Sequence, residues 1–227
     1  MIHHHPADDL LLAHAAGRLR PGPALLLDVH LEGCADCRRQ RQLLHAVGGA
    51  LIEDAEPLTL APEAWARTLA RIDAGGPPPA PRSAAGVRAG PGAPGGGALA
   101  PPAGMNWPQA LRACRSGGWR WMGPGMRFAR LTLPADPQAG LLLLRIGPGR
   151  SLARHGHDGM ELTQVLHGRF DDGRSGFGPG DFDATDDTVR HQPVVQPGGE
   201  CVCLAYVERR LRFEGRVAAW IGGWVGL

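Results

Sequence analysis

Lysine is absent from the sequence, so every basic side chain is an arginine. The 24 basic residues face 22 acidic ones, which leaves a formal net charge of only +2. A protein that binds the phosphate backbone of nucleic acid normally carries a clear excess of positive charge. The near balance of charge therefore argues against nucleic acid as a direct ligand.

Long hydrophobic runs are also missing. Candidate apolar stretches such as residues 141–144 and an interrupted tail at 217–227 do not approach the roughly 18 residues that a membrane-spanning helix needs. The first nine residues contain neither the basic stretch nor the apolar block and cleavage site of a secretory signal. These absences predict a soluble, cytoplasmic protein that does not contact a membrane.

The five cysteines do not suit a disulfide framework, because their number is odd. Two are spaced as Cys34-x-x-Cys37 and two as Cys201-x-Cys203, while Cys114 stands alone. Such short spacings indicate metal binding or redox chemistry in a reducing compartment.

Side chains that can build a core are scarce between residues 75 and 104, where glycine and proline dominate. The whole chain is still 43% hydrophobic, so the shortage of core-forming side chains is confined to this segment. A segment of this composition cannot bury enough apolar surface to fold. We therefore predict two domains, at 1–74 and 105–227, joined by a flexible linker at 75–104.

Residues 1–74 have the composition of a small all-α domain. They are rich in Ala, Leu and Arg and are punctuated by Gly and Pro. Four helices are predicted, one capped by Asp8 and ending near residue 19, and others at about 23–33, 35–54 and 62–72. Because four short helices make a small core, a domain of this size commonly needs a further stabilising element such as a bound metal.

Residues 105–227 follow a different pattern. Short segments with apolar or β-branched residues recur between Gly, Pro and Asp, as in an all-β antiparallel barrel or sandwich. Strands are predicted at 127–133, 141–146, 161–166, 181–184 and 201–207. The tail from Leu211 onward is predicted to pack as a helix.

Three metal-ligand side chains lie close together in the first domain: His30, Cys34 and Cys37. His30 and Cys34 are four positions apart and share a face near a helix turn, and the Cys-x-x-Cys spacing lets two thiolates reach one zinc ion. A fourth ligand is available among the histidines at 3–5, of which His5 is favoured. In the alternative interpretation, the cysteines are buried thiols and the histidines lie at the surface.

This arrangement of an N-terminal histidine and His-x3-Cys-x2-Cys in a small helical domain resembles the zinc-binding anti-sigma factors. Members of that family hold extracytoplasmic-function (group IV) sigma factors inactive. The matching positions are His5, His30, Cys34 and Cys37. The resemblance implies that zinc orders the helical fold, which inserts between the two promoter-reading domains of a sigma factor.

A second group of metal-ligand residues follows the pattern Gly-x5-His-x-His-x3-Glu-x6-Gly over residues 149–168. Alternate residues of a strand point to the same side, so His155 and His157 can converge with Glu161 from the next strand. His191 is the natural fourth ligand from a later strand. Such donors suit zinc, iron, manganese or nickel, and the spacing does not choose between them. The alternative is a set of solvated loop residues.

This pattern resembles the first cupin motif and matches it at every defined position. The second cupin motif is weaker, because ten residues rather than two separate Gly180 from His191 and the usual Asn is missing. A zinc anti-sigma domain, a linker and a cupin together resemble the ChrR-type anti-sigma factors. That resemblance implies that the cupin-like part is needed to respond to singlet oxygen or related oxidants.

Cys201 and Cys203 share one face of a predicted strand. Adjacent thiols in this position are candidates for oxidation by a reactive oxygen species. The alternative is that both cysteines pack in the barrel wall as small hydrophobic residues.

Two functions are consistent with these features. In the first, residues 1–74 sequester a group IV sigma factor in a 1:1 complex, and residues 105–227 sense an oxidant such as singlet oxygen and weaken that complex. In the second, the barrel is a cupin-type dioxygenase or isomerase that holds iron beside a small substrate. We favour the first function because it uses both clusters. It predicts a regulator that is not an enzyme. One zinc ion is expected in each domain, although the donor residues of the barrel do not determine which metal binds there.

Overall fold

The computed structural model of the protein describes residues 1–75 and 99–209, together with the backbone of residues 211–213. The helices are α1 (Asp8–Ala15), α2 (Pro21–Gly33), α3 (Ala35–Glu53) and α4 (Ala64–Asp73), and a 3-10 turn spans Gln109–Ala113. None of the described helices is long and apolar enough to cross a membrane. Residues 76–98 of the predicted linker and the predicted helical tail beyond residue 213 lie outside the described residues.

The strands are β1 (Arg115–Ser116), β2 (Arg120–Gly123), β3 (Met126–Leu133), β4 (Asp136–Ile146), β5 (His155–His157), β6 (Glu161–His167), β7 (Phe170–Asp171), β8 (Gly176–Phe177), β9 (Phe182–Thr185), β10 (Arg190–His191), β11 (Val194–Val195), β12 (Cys201–Val207) and β13 (Leu211–Phe213).

The four predicted helices are confirmed, with differences at their ends. α1 stops at Ala15 rather than near residue 19, because Gly17 adopts a left-handed φ of 66°, a common way to end a helix. Ala7 rather than Asp8 occupies the cap position, and no side chain caps this end. α2 begins at Pro21, whose fixed φ suits the first turn of a helix.

The predicted all-β barrel is confirmed as well. Its largest sheet has the strand order β1–β3–β4–β12–β6–β9, with β2 beside β3. Two three-stranded sheets, β10–β5–β13 and β11–β7–β8, complete the described part of the barrel. The prediction of a helix from Leu211 was wrong at its start, because β13 pairs with β5 as a strand and satisfies that strand's backbone groups.

The large sheet is buried on both faces at its strand β12. All seven residues of β12 are buried, which explains the continuous apolar run in its sequence. Cys201 and Cys203 face a cavity inside the barrel. Leu204 and Tyr206 point the other way and belong to the apolar core that includes α2. One strand therefore joins the barrel interior to the helical region.

α2 covers the outer face of this sheet. The consecutive residues Leu25, Leu26 and Leu27 are at most 1% exposed, and three consecutive residues cannot share one helix face. α2 is buried all round because it contacts α1 and α3 on one side and β4, β6 and β12 on the other. Gly22 allows this approach, since a Cβ there would lie 2.7 Å from the ring of Tyr206. The helices and the barrel share one apolar core, while the domain boundaries stay predictions.

Candidate metal centres

The first cluster contains His5, His30, Cys34 and Cys37, and one ligand atom from each lies within 4.8 Å of the others. The Nδ1 atom of His5 is 3.4 Å from the sulfur of Cys34 and 3.3 Å from that of Cys37. His5 is exposed, whereas the other three residues are buried. The structure thus brings together all four residues of the first predicted site.

The junction of α2 and α3 places three of these side chains. The N–H of Cys34 donates to the carbonyl of His30 at 2.9 Å and closes the last turn of α2. Cys34 then adopts an extended backbone, and its sulfur accepts a hydrogen bond from the N–H of Cys37 at 3.4 Å. This bond caps α3. Local structure alone therefore turns His30, Cys34 and Cys37 toward one point.

The N-terminal arm supplies the fourth side chain. The backbone N–H groups of His3 and His4 donate to Asp181 Oδ1 at 2.6 and 3.0 Å. The carbonyl of His4 accepts a hydrogen bond from the N–H of Phe182 at 3.0 Å. These three bonds fix the arm along the barrel, and His5 is the arm histidine that joins the cluster.

The electrostatics of the first cluster fit a bound cation. Burial lowers the pKa of His30, which keeps its imidazole neutral with a free lone pair. The Nε2 atom of His30 is buried and lacks a hydrogen-bond partner in the described structure. Burial and the neighbouring Cys34 thiol raise the pKa of Cys37 to about 12, so two thiolates side by side need a cation. Two imidazoles and two thiolates are a donor set that suits zinc.

The second cluster lies inside the barrel and is formed by His155, His157, Glu161 and His191, all of them buried. Glu161 Oε2 is 2.6 Å from Nε2 of His157, 3.4 Å from that of His191 and 3.9 Å from that of His155. His155 and His157 lie on β5, Glu161 begins β6, and His191 on β10 pairs directly with His155. The four residues of the second predicted site therefore converge as well.

A contact on the outward ring nitrogen orients each histidine of this cluster. The contacts join His155 Nδ1 to the carbonyl of Ala153 at 2.8 Å, His157 Nδ1 to the carbonyl of Asp186 at 3.3 Å, and His191 Nδ1 to Asp172 Oδ2 at 3.4 Å. A carbonyl can only accept a hydrogen bond, so Nδ1 carries the proton in the first two histidines. Their Nε2 lone pairs are then available to a metal.

The donor atoms of the second cluster also fit a divalent cation. Nε2 of His157 and Oε2 of Glu161 are both buried, and neither makes a hydrogen bond of good geometry among the described residues. Burial disfavours the charged form of Glu161, but its contacts with three histidines outweigh burial and hold the pKa of this carboxyl well below its ordinary value. A buried carboxylate among imidazoles accommodates zinc, iron, manganese or nickel.

Cys201 and Cys203 lie beside the second cluster. Both are buried, their sulfurs are 3.6 Å apart, and they line a cavity of about 30 Å³ together with His155, Glu161 and His191. The hydrogen bond with Cys201, together with burial, raises the pKa of Cys203 well above its ordinary value. Cys203 is therefore a protonated thiol near the cluster at neutral pH.

Three polar residues that support the clusters were not identified from the sequence: Gln164, Asp172 and Asp181. Gln164 lies between Leu162 and Leu166 on the apolar outward face of β6, which was an available signal. Asp172 and Asp181 lie next to bends and turns, where aspartate is common. Among the described residues, Cys114 and His167 belong to neither cluster.

Comparisons with known proteins agree with this architecture. A family model described as the ChrR cupin-like domain matches residues 109–209. The anti-sigma-E factor ChrR of Cereibacter sphaeroides is 39% identical over 213 residues, which cover 94% of this chain and 93% of the relative. A crystal structure of Rhodobacter sphaeroides SigE in complex with the anti-sigma ChrR matches with a TM-score of 0.66 and 34% identity, over 92% of this chain and 100% of that chain. The chain therefore belongs to the family of ChrR-type anti-sigma factors.

Proposed function

We propose that residues 1–74 bind one group IV sigma factor in a 1:1 complex and withhold it from promoters in the cytoplasm. Residues 105–227 respond to an oxidant such as singlet oxygen and weaken that complex. The solved relative supports the first part, because that structure holds an anti-sigma factor together with SigE.

Exposed apolar helix faces are the observation that carries the proposal. α4 contains no buried residue, although its apolar side chains share one face. The exposed apolar residues that line up along each helix are Leu43, Val47 and Leu51 on α3, and Trp65, Leu69 and Ile72 on α4. Their spacing of three or four residues aligns them along each helix. Contiguous apolar surface of this kind marks a protein-binding site.

The first metal cluster has a structural role in this proposal. Zinc, when bound, supplies a cross-link between the N-terminal arm, α2 and α3. His5 ties the arm to this link, His30 ties α2, and Cys34 with Cys37 ties the start of α3. Since α3 carries one of the exposed apolar faces, the cross-link fixes the direction in which that face is presented to the sigma factor.

The barrel geometry supports a sensor rather than an enzyme. The cavity beside the second cluster has a volume of about 30 Å³ in the described structure. Substrate pockets are commonly about 300–1,000 Å³, so this cavity has room for water-sized molecules only. The anti-sigma family is also regulatory. A dioxygenase or isomerase would need a substrate space that this cavity does not offer.

For the oxidant response, we propose that Cys201 and Cys203 are the electron donors. Oxidation of the two thiols to a disulfide releases two electrons and two protons, which convert one molecule of singlet oxygen to hydrogen peroxide. The 3.6 Å separation of the sulfurs supports this step. The cavity shared with His155 and Glu161 connects it to the second cluster.

Two matched tryptophans test the sigma-binding face. Trp65 on α4 is 71% exposed and Trp121 on the barrel is 70% exposed, so neither substitution removes a core residue. We expect Trp65→Ser to weaken the complex with a group IV sigma factor about 30-fold or more, since a buried interface tryptophan contributes about 2 kcal/mol or more. Trp121→Ser should leave the affinity unchanged. Calorimetric titration of both variants measures this, and equal affinities would exclude α4 from the interface.

A further inference from the structure

The barrel reaches into the first metal cluster through one side chain of β6. Oε1 of Gln164 is 3.1 Å from Nδ1 of His30, although the two residues are 134 positions apart in the sequence. An amide oxygen only accepts hydrogen bonds, so Nδ1 of His30 carries the proton. The lone pair is then on Nε2, the buried ring atom that has no other partner in the described structure.

Gln164 is held rigidly in this orientation. It is 2% exposed, and its amide nitrogen donates to the carbonyl of Val165 at 3.1 Å. Reversing the amide would place its oxygen against the carbonyl of Val165, which can only accept, so the observed orientation is favoured. The His30 ring also packs edge-on against Phe182 at 5.7 Å. The barrel thus determines both the tautomer and the direction of the His30 ring.

A second residue of the barrel governs the His5 ligand. Asp181 is 3% exposed, and its Oδ1 binds the backbone N–H groups of both His3 and His4. Its other oxygen accepts a hydrogen bond from the N–H of Gly178 at 2.8 Å. The carboxylate therefore cannot turn away, and the arm that carries His5 is anchored one residue before the cluster.

We infer that Gln164 and Asp181 are positioning residues of the first metal centre, supplied by the barrel to two ligands of the helical region. The inference rests on the proposed binding of metal at the first cluster. Partners of this kind hold metal-ligating histidines in place and commonly account for about 10- to 100-fold in metal affinity. By linkage, packing of the barrel against α2 and the arm strengthens metal binding, and bound metal strengthens that packing equally.

This contact gives the two halves of the chain a direct connection. Glu161 of the second cluster and Gln164 lie on the same strand, β6, and point to opposite faces of the sheet. A displacement of β6 at the second cluster therefore acts on His30 without any signal passing along the linker.

Cobalt titration of the full-length protein tests the inference. Thiolate-to-cobalt charge-transfer absorption that is lost in Cys37→Ser reports the first cluster, since Cys201 and Cys203 line the cavity beside the second one. Competition with a chelator then gives the affinity of that cluster. We expect Gln164→Met, which keeps the side-chain length and removes the acceptor, to weaken cobalt binding about 10- to 100-fold. Gln138→Met is the matched control, since Gln138 is exposed on β4.

A conservative variant separates positioning from general stability. Gln164→Glu keeps an acceptor oxygen toward Nδ1 of His30 but loses the donor to the carbonyl of Val165. Its cobalt affinity should therefore be higher than that of Gln164→Met, which has no acceptor. Asp181→Asn, which weakens the anchor of the arm, should lose about 3- to 10-fold. If Gln164→Met does not fold, Asp181→Asn decides whether the barrel positions the ligands of the first metal centre.

Two outcomes are distinguishable. Absence of the charge-transfer band in the unmodified chain would overturn the proposed metal binding at the first cluster. A normal band whose affinity is unchanged in both Gln164→Met and Asp181→Asn would overturn only the positioning role.

Discussion

Asp172 supports the second cluster, and its removal is a quantitative test of that support. Its Oδ1 accepts hydrogen bonds from the backbone N–H groups of Arg174 and Ser175, both at 2.9 Å. Its Oδ2 accepts one from Nε of Arg174 at 2.7 Å and lies 3.4 Å from Nδ1 of His191. One buried carboxylate therefore joins a turn, an arginine and a candidate metal ligand.

The expected cost of Asp172→Ala follows from these contacts. Breaking a buried ion pair by removing one partner typically costs about 3–5 kcal/mol. Arg174 is 41% exposed and keeps Asp183 as a partner at 3.0 Å, so water and the second carboxylate reduce that cost. We expect a loss of about 2–3 kcal/mol in the free energy of unfolding, which lowers the melting temperature by about 4–12 °C in a protein of this size.

Thermal unfolding in the presence of a chelator measures this loss without any contribution from metal. The matched control is Asp171→Ala, because Asp171 is exposed and its side chain accepts a single hydrogen bond from the described residues, from the N–H of Gly173 at 2.8 Å. The control should change the free energy of unfolding by no more than about 0.5 kcal/mol. If the two variants unfold at the same temperature, the network around Asp172 does not stabilise the barrel and the argument fails.

Two further predictions concern the clusters themselves. Cys37→Ser should weaken zinc binding by more than about 100-fold and abolish sigma binding with it, because a structural metal contributes directly to folding. Zinc analysis and co-purification with the sigma factor measure both effects. Cys114→Ser is the control for a buried cysteine outside the clusters. Sigma binding that survives the loss of zinc would contradict the prediction. His155→Ala should leave the sigma complex intact but suppress its dissociation under singlet oxygen, whereas His167→Ala should respond normally. Release from the His155 variant at the normal rate, measured by in vitro transcription under illumination with a photosensitiser, would argue against sensing by the second cluster.

The structure shows a contact between the helical region and the barrel that the sequence did not predict. The sequence predicts two domains separated by a linker, which leaves no evident path for a signal. In the structure, α2 packs on the outer face of the sheet, and Gln164 and Asp181 contact the ligands of the first cluster or the arm that carries them. The two halves therefore touch each other directly, independently of the predicted linker.

Both ligand clusters could be predicted from the sequence because their spacing is local. His30, Cys34 and Cys37 surround one helix junction, and His155, His157 and Glu161 occupy two consecutive strands. Helical and strand periodicity turns such side chains in one direction, whatever the rest of the fold does. The four helices and the strand segments followed from the same short-range patterns.

The supporting contacts depend on residues far apart in the chain and were decided by tertiary structure. Leu25, Leu26 and Leu27 indicate a helix buried on all sides, but nothing in their pattern identifies the sheet that covers it. Gln164 becomes a partner of His30 only because α2 packs across β6, and Asp172 reaches His191 only because the barrel closes. Local sequence determines which way a side chain points, whereas burial of apolar surface determines what it meets.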